Sequence, residues 1–277
     1  MTKNSLLWKI TPPSGPTSYL FGTMHVRDLR AFGWLDTAKR HLTECEVFAT
    51  EFDFSETDET ALYTALELPG GKPLDEFLKP GVWKTLDFYC RKKLGIPAAN
   101  LRVQHPMMVS TALTAAFMAD EAAHSLDETL WHHARSLGKT TTGVETFADQ
   151  LATLRKIPFE QHLKGLTWLL KNYGRQKRRL HKMMNWYAGG EIQQLYKAAK
   201  KDAKGMRRVL LYERNRLMVN RFGEIASKQS LFCAVGAGHL AGGKGMLRLL
   251  KKAGFKVKPV KLANDSGGFE PSDKNGE

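Results

Sequence analysis

The run Leu231-Phe232-Cys233-Ala234-Val235 is apolar at every position and stops at Gly236-Ala237-Gly238-His239. A run this short and uniformly apolar reads as a strand buried on both faces, which belongs inside a parallel sheet covered by helices. Helical spacing from Gly245 to Ala253, a C-capping Gly254 and a strand over Phe255–Val260 complete a β-α-β unit. The opening of the chain has the same grammar. Leu6-Leu7-Trp8-Lys9-Ile10 and Tyr19-Leu20-Phe21-Gly22-Thr23 flank the breaker-rich Pro12-Pro13-Ser14-Gly15-Pro16, which predicts a hairpin. Helical spacing then runs through Trp34-Leu35 to Leu42, and Val47 to Asp53 returns to a strand-like run ending in acids. The fold class that accommodates both ends is α/β, with a mixed, largely parallel β-sheet.

Between these ends the pattern is mostly helical. Residues 55–136 are punctuated at Pro69-Gly70-Gly71, Lys79-Pro80-Gly81 and Gly95-Ile96-Pro97; Thr140 to Glu145 is a short β-branched strand; residues 147–228 are again helical, broken near Pro158, Gly174, Gly189-Gly190 and Gly205. The expected organisation is one α/β domain over residues 1–263 with a mostly helical insertion at about 55–228, a long helical second half covering the cleft, and a fraying tail over 264–277. At 277 residues and 42% hydrophobic composition the chain can bury a full core. It has no apolar run of the roughly 18 residues that a membrane-spanning helix needs, and its first residues lack the apolar stretch of a signal peptide. A cytoplasmic location and no transmembrane segment are therefore expected. Cys45, Cys90 and Cys233 are odd in number and far apart, which argues for buried small hydrophobes over disulfides or a Cys-rich zinc site.

The formal charge of +14 is concentrated. Residues 1–150 hold 15 basic and 19 acidic side chains, and residues 151–277 hold 27 and 9. The densest part, from Lys171 to Arg208, interleaves cations with Leu, Met, Trp and Tyr as a basic amphipathic helical region. Its field suits an acidic partner, with a solvated helix face as the simpler reading; with no nucleic-acid motif beside it, no specific nucleic acid is expected. No Walker loop and no Gly-x-Ser-x-Gly elbow occurs.

The chemistry concentrates at strand ends. His25 and His239 each follow a glycine by three residues after an apolar strand, and Glu51 and Glu145 each close another. In open α/β sheets the carboxyl ends of parallel strands are where ligands bind, so four groups from four strands are expected to converge on one cleft. Gly22, Gly236 and Gly238 are expected to make tight turns with positive φ and to admit close backbone approach. Two His with one or two carboxylates suit a divalent metal such as zinc, manganese, cobalt or iron. Without a metal the same groups can work as a general acid/base pair in hydrolysis. Arg214, beside the apolar face of its helix, either points into the cleft to hold an oxyanion or pairs with Glu213 or a surface acid.

Ser18-Tyr19-Leu20-Phe21-Gly22-Thr23-Met24-His25, Gly143-Val144-Glu145-Thr146 with Gln150-Leu151, Glu213-Arg214-Asn215, and Ala234-Val235-Gly236-Ala237-Gly238-His239-Leu240-Ala241-Gly242 together resemble the TraB/GumN/Tiki family along nearly the whole chain. The resemblance implies an EreA/ChaN-like fold with a strand-end active site and a metal-dependent, peptidase-like hydrolase. Manganese, cobalt or zinc would be the ion, His25, His239 and Glu51 its ligands, Glu51 and Glu145 the acid/base groups, and Arg214 the stabiliser of developing negative charge. The substrate would be a peptide or small molecule. The rival is a protein of the same fold that binds or sequesters such a ligand without turning it over.

Overall fold

The computed structural model describes residues 4–118 and 121–262; the tail expected from residue 264 lies outside the described residues. Six strands form one sheet in the order β4-β3-β5-β2-β1-β6. β1 (Leu7–Thr11) and β2 (Ser18–Thr23) are the expected antiparallel hairpin, with Leu7 opposite Phe21 and Ile10 opposite Ser18. β3 (Val47–Thr50), β4 (Thr140–Gly143) and β5 (Leu231–Gly236) run parallel to β2. β6 (Lys256–Pro259) pairs antiparallel with β1 at the far edge, so only β1 opposes the common direction. The sheet is mixed and largely parallel, as expected.

Burial follows strand position. β2 and β3 are buried at every residue, as is β5 until Gly236, because helices cover both faces of the central strands. Stacked Phe48 and Phe232, with Phe21 beside them, form the aromatic centre of that core. β6 instead alternates exposed Lys256 and Lys258 with half-buried positions and ends at a proline, which discourages further pairing at the edge. Cys45, Cys90 and Cys233 are buried free thiols.

Each parallel crossover is helical. α1 (Leu35–Thr43) links β2 to β3, and α12 (Met246–Lys252) links β5 to β6. The insertion between β3 and β4 carries α2 (Glu59–Ala65), α3 (Leu74–Phe77), α4 (Pro80–Leu94), α5 (Pro106–Ala115) and α6 (Leu126–Ser136). After β4 come α7 (Phe147–Arg155), α8 (Phe159–Lys171), α9 (Tyr173–Ala188), α10 (Ile192–Asp202), a π-helical segment over Arg208–Glu213 and α11 (Arg214–Ala226). α4, α5 and α8 enclose a second apolar core around Leu86, Cys90, Leu113 and Leu166, separate from the sheet core, with half-buried Met118 packed against both. No helix among the described residues is long and apolar enough to cross a membrane.

Candidate functional site

Parallel pairing brings four strand ends into line. Thr23 of β2 sits opposite Gly236 of β5, Thr50 of β3 opposite Gly143 of β4, and Ala49 opposite Cys233. The next residues in each chain segment therefore leave the sheet along one edge, and His25, Glu51, Glu145 and His239 are among them. Beyond β4 the ladder continues for two more bonds, from Val144 N to Thr50 O and from Glu145 N to Glu51 O. Those bonds set the Glu51 and Glu145 side chains next to each other.

Arg214 lies between them. Its Nη2 donates to Glu51 Oε2 at 2.6 Å and to Glu145 Oε2 at 2.5 Å, and its Nε to Glu145 Oε1 at 2.9 Å. One guanidinium thus neutralises only one of two carboxylates. The alternative partner considered for Arg214, Glu213, instead accepts from Arg208. Glu51 Oε1 also accepts the Gly236 N–H at 2.9 Å. Burial alone would raise the Glu51 pKa, but the His239 charge, the Arg214 guanidinium and the Gly236 N–H outweigh it and hold the carboxyl at about 2. Above the pKa of His239 the first of these influences is gone, and Arg214 and Gly236 keep Glu51 ionised.

His239 is buried behind Glu51, its Nε2 3.8 Å from Glu51 Oε1. Desolvation depresses its pKa to about 4, so the ring is neutral at pH 7. Its tautomer follows from its neighbour. Asn215 donates Nδ2 to the Lys244 carbonyl at 2.7 Å, which turns Oδ1 toward His239 Nδ1 at 2.6 Å. Nδ1 therefore carries the proton, and Nε2 presents its lone pair toward Glu51.

His25 stands on the opposite wall. Its side chain is 69% exposed, and Nδ1 lies 3.5 Å from Asp127 Oδ2. Asp127 is in the first turn of α6, whose start is locked by a capping box between Ser125 and Glu128, and its Oδ1 accepts from Thr23 Oγ1. Asp127 Oδ2 is buried and, apart from the 3.5 Å ion pair with His25, has no hydrogen-bond partner among the described residues. Interaction with this carboxylate, larger than the opposing effect of burial, raises the His25 pKa. A cavity of about 410 Å³ lies between the walls, lined by His25, Glu51, Phe52, Phe54, Asp127 and Gln150 among others. Its outer wall is built by α6 of the insertion, with Gln150 of α7 the contribution of the helical second half.

Glu51 and His25 thus face one cavity, while Glu145, Arg214 and His239 support Glu51 from behind. Sequence reasoning singled out all five but gave no weight to Asp127, and did not assign Asn215 or Gln150 a role, although both lay in the motifs it quoted. Asp127 has a local signal, the Ser125-x-x-Glu128 capping box, but nothing local says which strand end that helix faces. Asp53, two residues after Glu51, is the N-cap of the short turn Phe54–Glu56 and accepts from Ser55 and Trp131.

The glycine expectation needs correction. Gly22, Gly236 and Gly238 do not adopt positive φ, and Gly236 has φ −52°. What excludes a side chain is proximity. A Cβ on Gly22 would come within 2.6 Å of Leu240 Cδ1, one on Gly238 within 2.7 Å of Ala199 Cβ, and one on Gly236 within 3.2 Å of Glu51 Oε1. The positive φ in this region belongs to Gly242.

A sequence model of the TraB/PrgY/gumN family matches residues 6–259. Among similar proteins, metalloprotease TIKI2 of Danio rerio is 24% identical across 92% of this chain and 60% of its own length. Metalloprotease TIKI1 of Homo sapiens is 23% identical across 92% of this chain and 61% of its own, and the metalloprotease TIKI homolog of Amphimedon queenslandica is 22% identical across 99% and 65%. The chain thus spans less than two thirds of the length of these relatives. No solved structure matches it. The family match covers the hairpin, all four strand-end groups and Arg214, and the chain belongs to the TraB/PrgY/gumN family.

Proposed function

We propose that this protein hydrolyses an amide or peptide bond in the strand-end cavity. The observation that carries the reading is the opposite displacement of two titratable groups across one cavity. Glu51 is held ionised, and His25 is pushed toward its protonated form by Asp127. Pairs driven apart in this way are the mark of an assigned base and acid. In the reaction, a water attacks the substrate carbonyl carbon and gives a proton to Glu51. His25 gives its proton to the leaving nitrogen as the C–N bond breaks, and both groups re-equilibrate with solvent through the open mouth. A carboxylate held near 2 is a weak base in water, so the reaction requires substrate to displace water from the cavity, which raises its basicity. Arg214 and Gly236 orient Glu51 throughout, and His239 faces its Oε1.

The relatives are named metalloproteases, which supports the expectation of a metal; the sequence resemblance would place manganese, cobalt or zinc on His25, His239 and Glu51. Among the described residues no three His, Cys, Asp or Glu side chains are grouped to hold a metal. Both Glu51 oxygens are already engaged by donors, and His25 is turned toward Asp127. This donor set does not fit an ion as it stands, and the proposed reaction runs through side chains.

The test is turnover of an amide and peptide library, read by mass spectrometry, with and without added manganese, cobalt or zinc. Wild type should cleave some members, and His25→Gln or Glu51→Gln should slow cleavage by about 10²- to 10⁴-fold. Full activity in His25→Gln would remove the acid assignment. No turnover under any condition would leave the non-catalytic binder. Elemental analysis completes it: about one equivalent of a transition metal in wild type, lost in the His25→Ala, His239→Ala double variant, would replace the side-chain reaction with a metal-dependent one.

A further inference from the structure

A second, larger cavity of about 870 Å³ adjoins the first, and His25 lines both. It lies among α5, α8, α9, the end of α10 and the segment Met24–Val26 that follows β2. Its floor is apolar, with Met118, Leu169 and Leu180 at its base. Its rim carries Arg175, Arg179, Lys201 and Lys204 against a single carboxylate, Asp202. That carboxylate is already bound by both terminal nitrogens of Arg179, leaving Arg175, Lys201 and Lys204 around the floor with no carboxylate partner among the described residues. The smaller cavity has the opposite sign, with Glu51, Asp127 and Glu128 in its wall.

We infer that the larger cavity is the substrate groove of the proposed hydrolase, and that it takes a polypeptide segment bearing carboxylates beside large apolar side chains on one side of the scissile bond. The inference rests on the hydrolase reading and supplies its substrate class. Three cations around a concave apolar floor fit such a segment on both counts, since its apolar side chains fill the floor while its carboxylates reach the rim. A nucleic-acid strand would meet the rim equally well and find one exposed ring, Trp168, to stack on, but Met118, Leu169 and Leu180 fit apolar side chains rather than successive bases. The position of His25 between the cavities gives the direction of the chain: the acidic, apolar segment lies in the groove, and the bond to be cut lies beyond His25, next to Glu51.

The groove can be tested without turnover. The probe is a fluorescein-labelled dodecapeptide alternating Glu with Leu and Met, compared by anisotropy with the same peptide carrying Gln for Glu. At 0.1 M salt the Glu peptide should bind at least about tenfold more tightly, and a Lys201→Glu, Lys204→Glu double variant should lose about that factor. Both lysines are exposed, so the variant's thermal unfolding should match wild type. Equal binding of the two peptides, or an unaffected double variant, overturns the inference, as does a single-stranded RNA that binds more tightly than the peptide and loses affinity steeply with salt. Peptide binding without cleavage would sink the hydrolase reading and leave the groove assigned. Cleavage of neutral peptides with no preference for acidic ones would sink the groove alone.

Discussion

Replacing Arg214 with methionine isolates the electrostatics of the site, because Met keeps much of the side-chain volume and removes the charge. Arg214 and Glu145 are 17% and 1% exposed, and Glu51 is 25% exposed. Truncating one partner of such a group leaves two adjacent, largely buried carboxylates uncompensated, at a cost of about 3–5 kcal/mol. The pH dependence is more diagnostic than the size. In wild type Glu51 is depressed from 4.5 to about 2. A depressed carboxyl contributes stability above its unfolded pKa and loses it as pH falls through the folded one; a drop of this size corresponds to about 3 kcal/mol. In the variant the two carboxylates face each other without a cation, so the pair must take up a proton more readily than the unfolded chain does. That penalty is complete above the pair's raised pKa and shrinks as pH falls from there toward the unfolded value of about 4.5. Urea unfolding followed by tryptophan fluorescence should therefore show the largest gap between wild type and Arg214→Met at pH 7, a narrower one at pH 4, where the variant's penalty has gone, and the smallest near pH 2, where wild type has lost the Glu51 contribution as well. Arg214→Lys, which keeps the charge but not the planar fork, should fall between. A gap as wide at pH 4 as at pH 7 would mean that the loss is one of packing, and a variant as stable as wild type at pH 7 would mean that Arg214 holds neither carboxylate.

Asp127→Asn should return the His25 pKa toward 6.5, measured by NMR titration of the ring, and move the alkaline limb of any pH–rate profile downward with it; an unmoved His25 would detach it from Asp127. Asn215→Leu should cost about 1–3 kcal/mol, since the Lys244 carbonyl and His239 Nδ1 both lose their partner, and should mix the His239 tautomers in ¹⁵N spectra. A single Nδ1–H tautomer surviving in that variant would refute the role given to Asn215. Gly238→Ala should cost about 1–3 kcal/mol in urea unfolding because its Cβ meets Ala199 Cβ at 2.7 Å with little room to yield, and a neutral result would mean that the turn and α10 can part.

How far the site was legible depends on whether its contacts are local. The apolar stretch Leu231–Val235 and the hairpin over Leu6–Thr23 are patterns a few residues long, and they became the two central strands and their antiparallel neighbour. The strand-end positions of His25, Glu51, Glu145 and His239 followed from the same patterns, because a residue just past a parallel strand must leave the sheet at its carboxyl edge. What each group then touches was not legible. Asp127 lies 102 residues from His25 and reaches it only because α6 begins beneath the end of β2. The glycines were readable as sites without room for a side chain but not as to why, since the atoms that crowd Gly22 and Gly238 belong to Leu240 and Ala199. Arg214 and Asn215 show the limit most sharply. They are adjacent in sequence and read as one helical motif, yet they serve opposite halves of the site. The π-helical segment over Arg208–Glu213 ends where α11 begins, and consecutive residues there are about 100° apart around the axis. Arg214 therefore turns to the carboxylates of β3 and β4 while Asn215 turns to the imidazole beyond β5. A one-residue slip at this helix start would put Asn215 where Arg214 stands and leave Glu51 beside a neutral amide, so the register of the π-helical segment is itself part of what keeps Glu51 ionised.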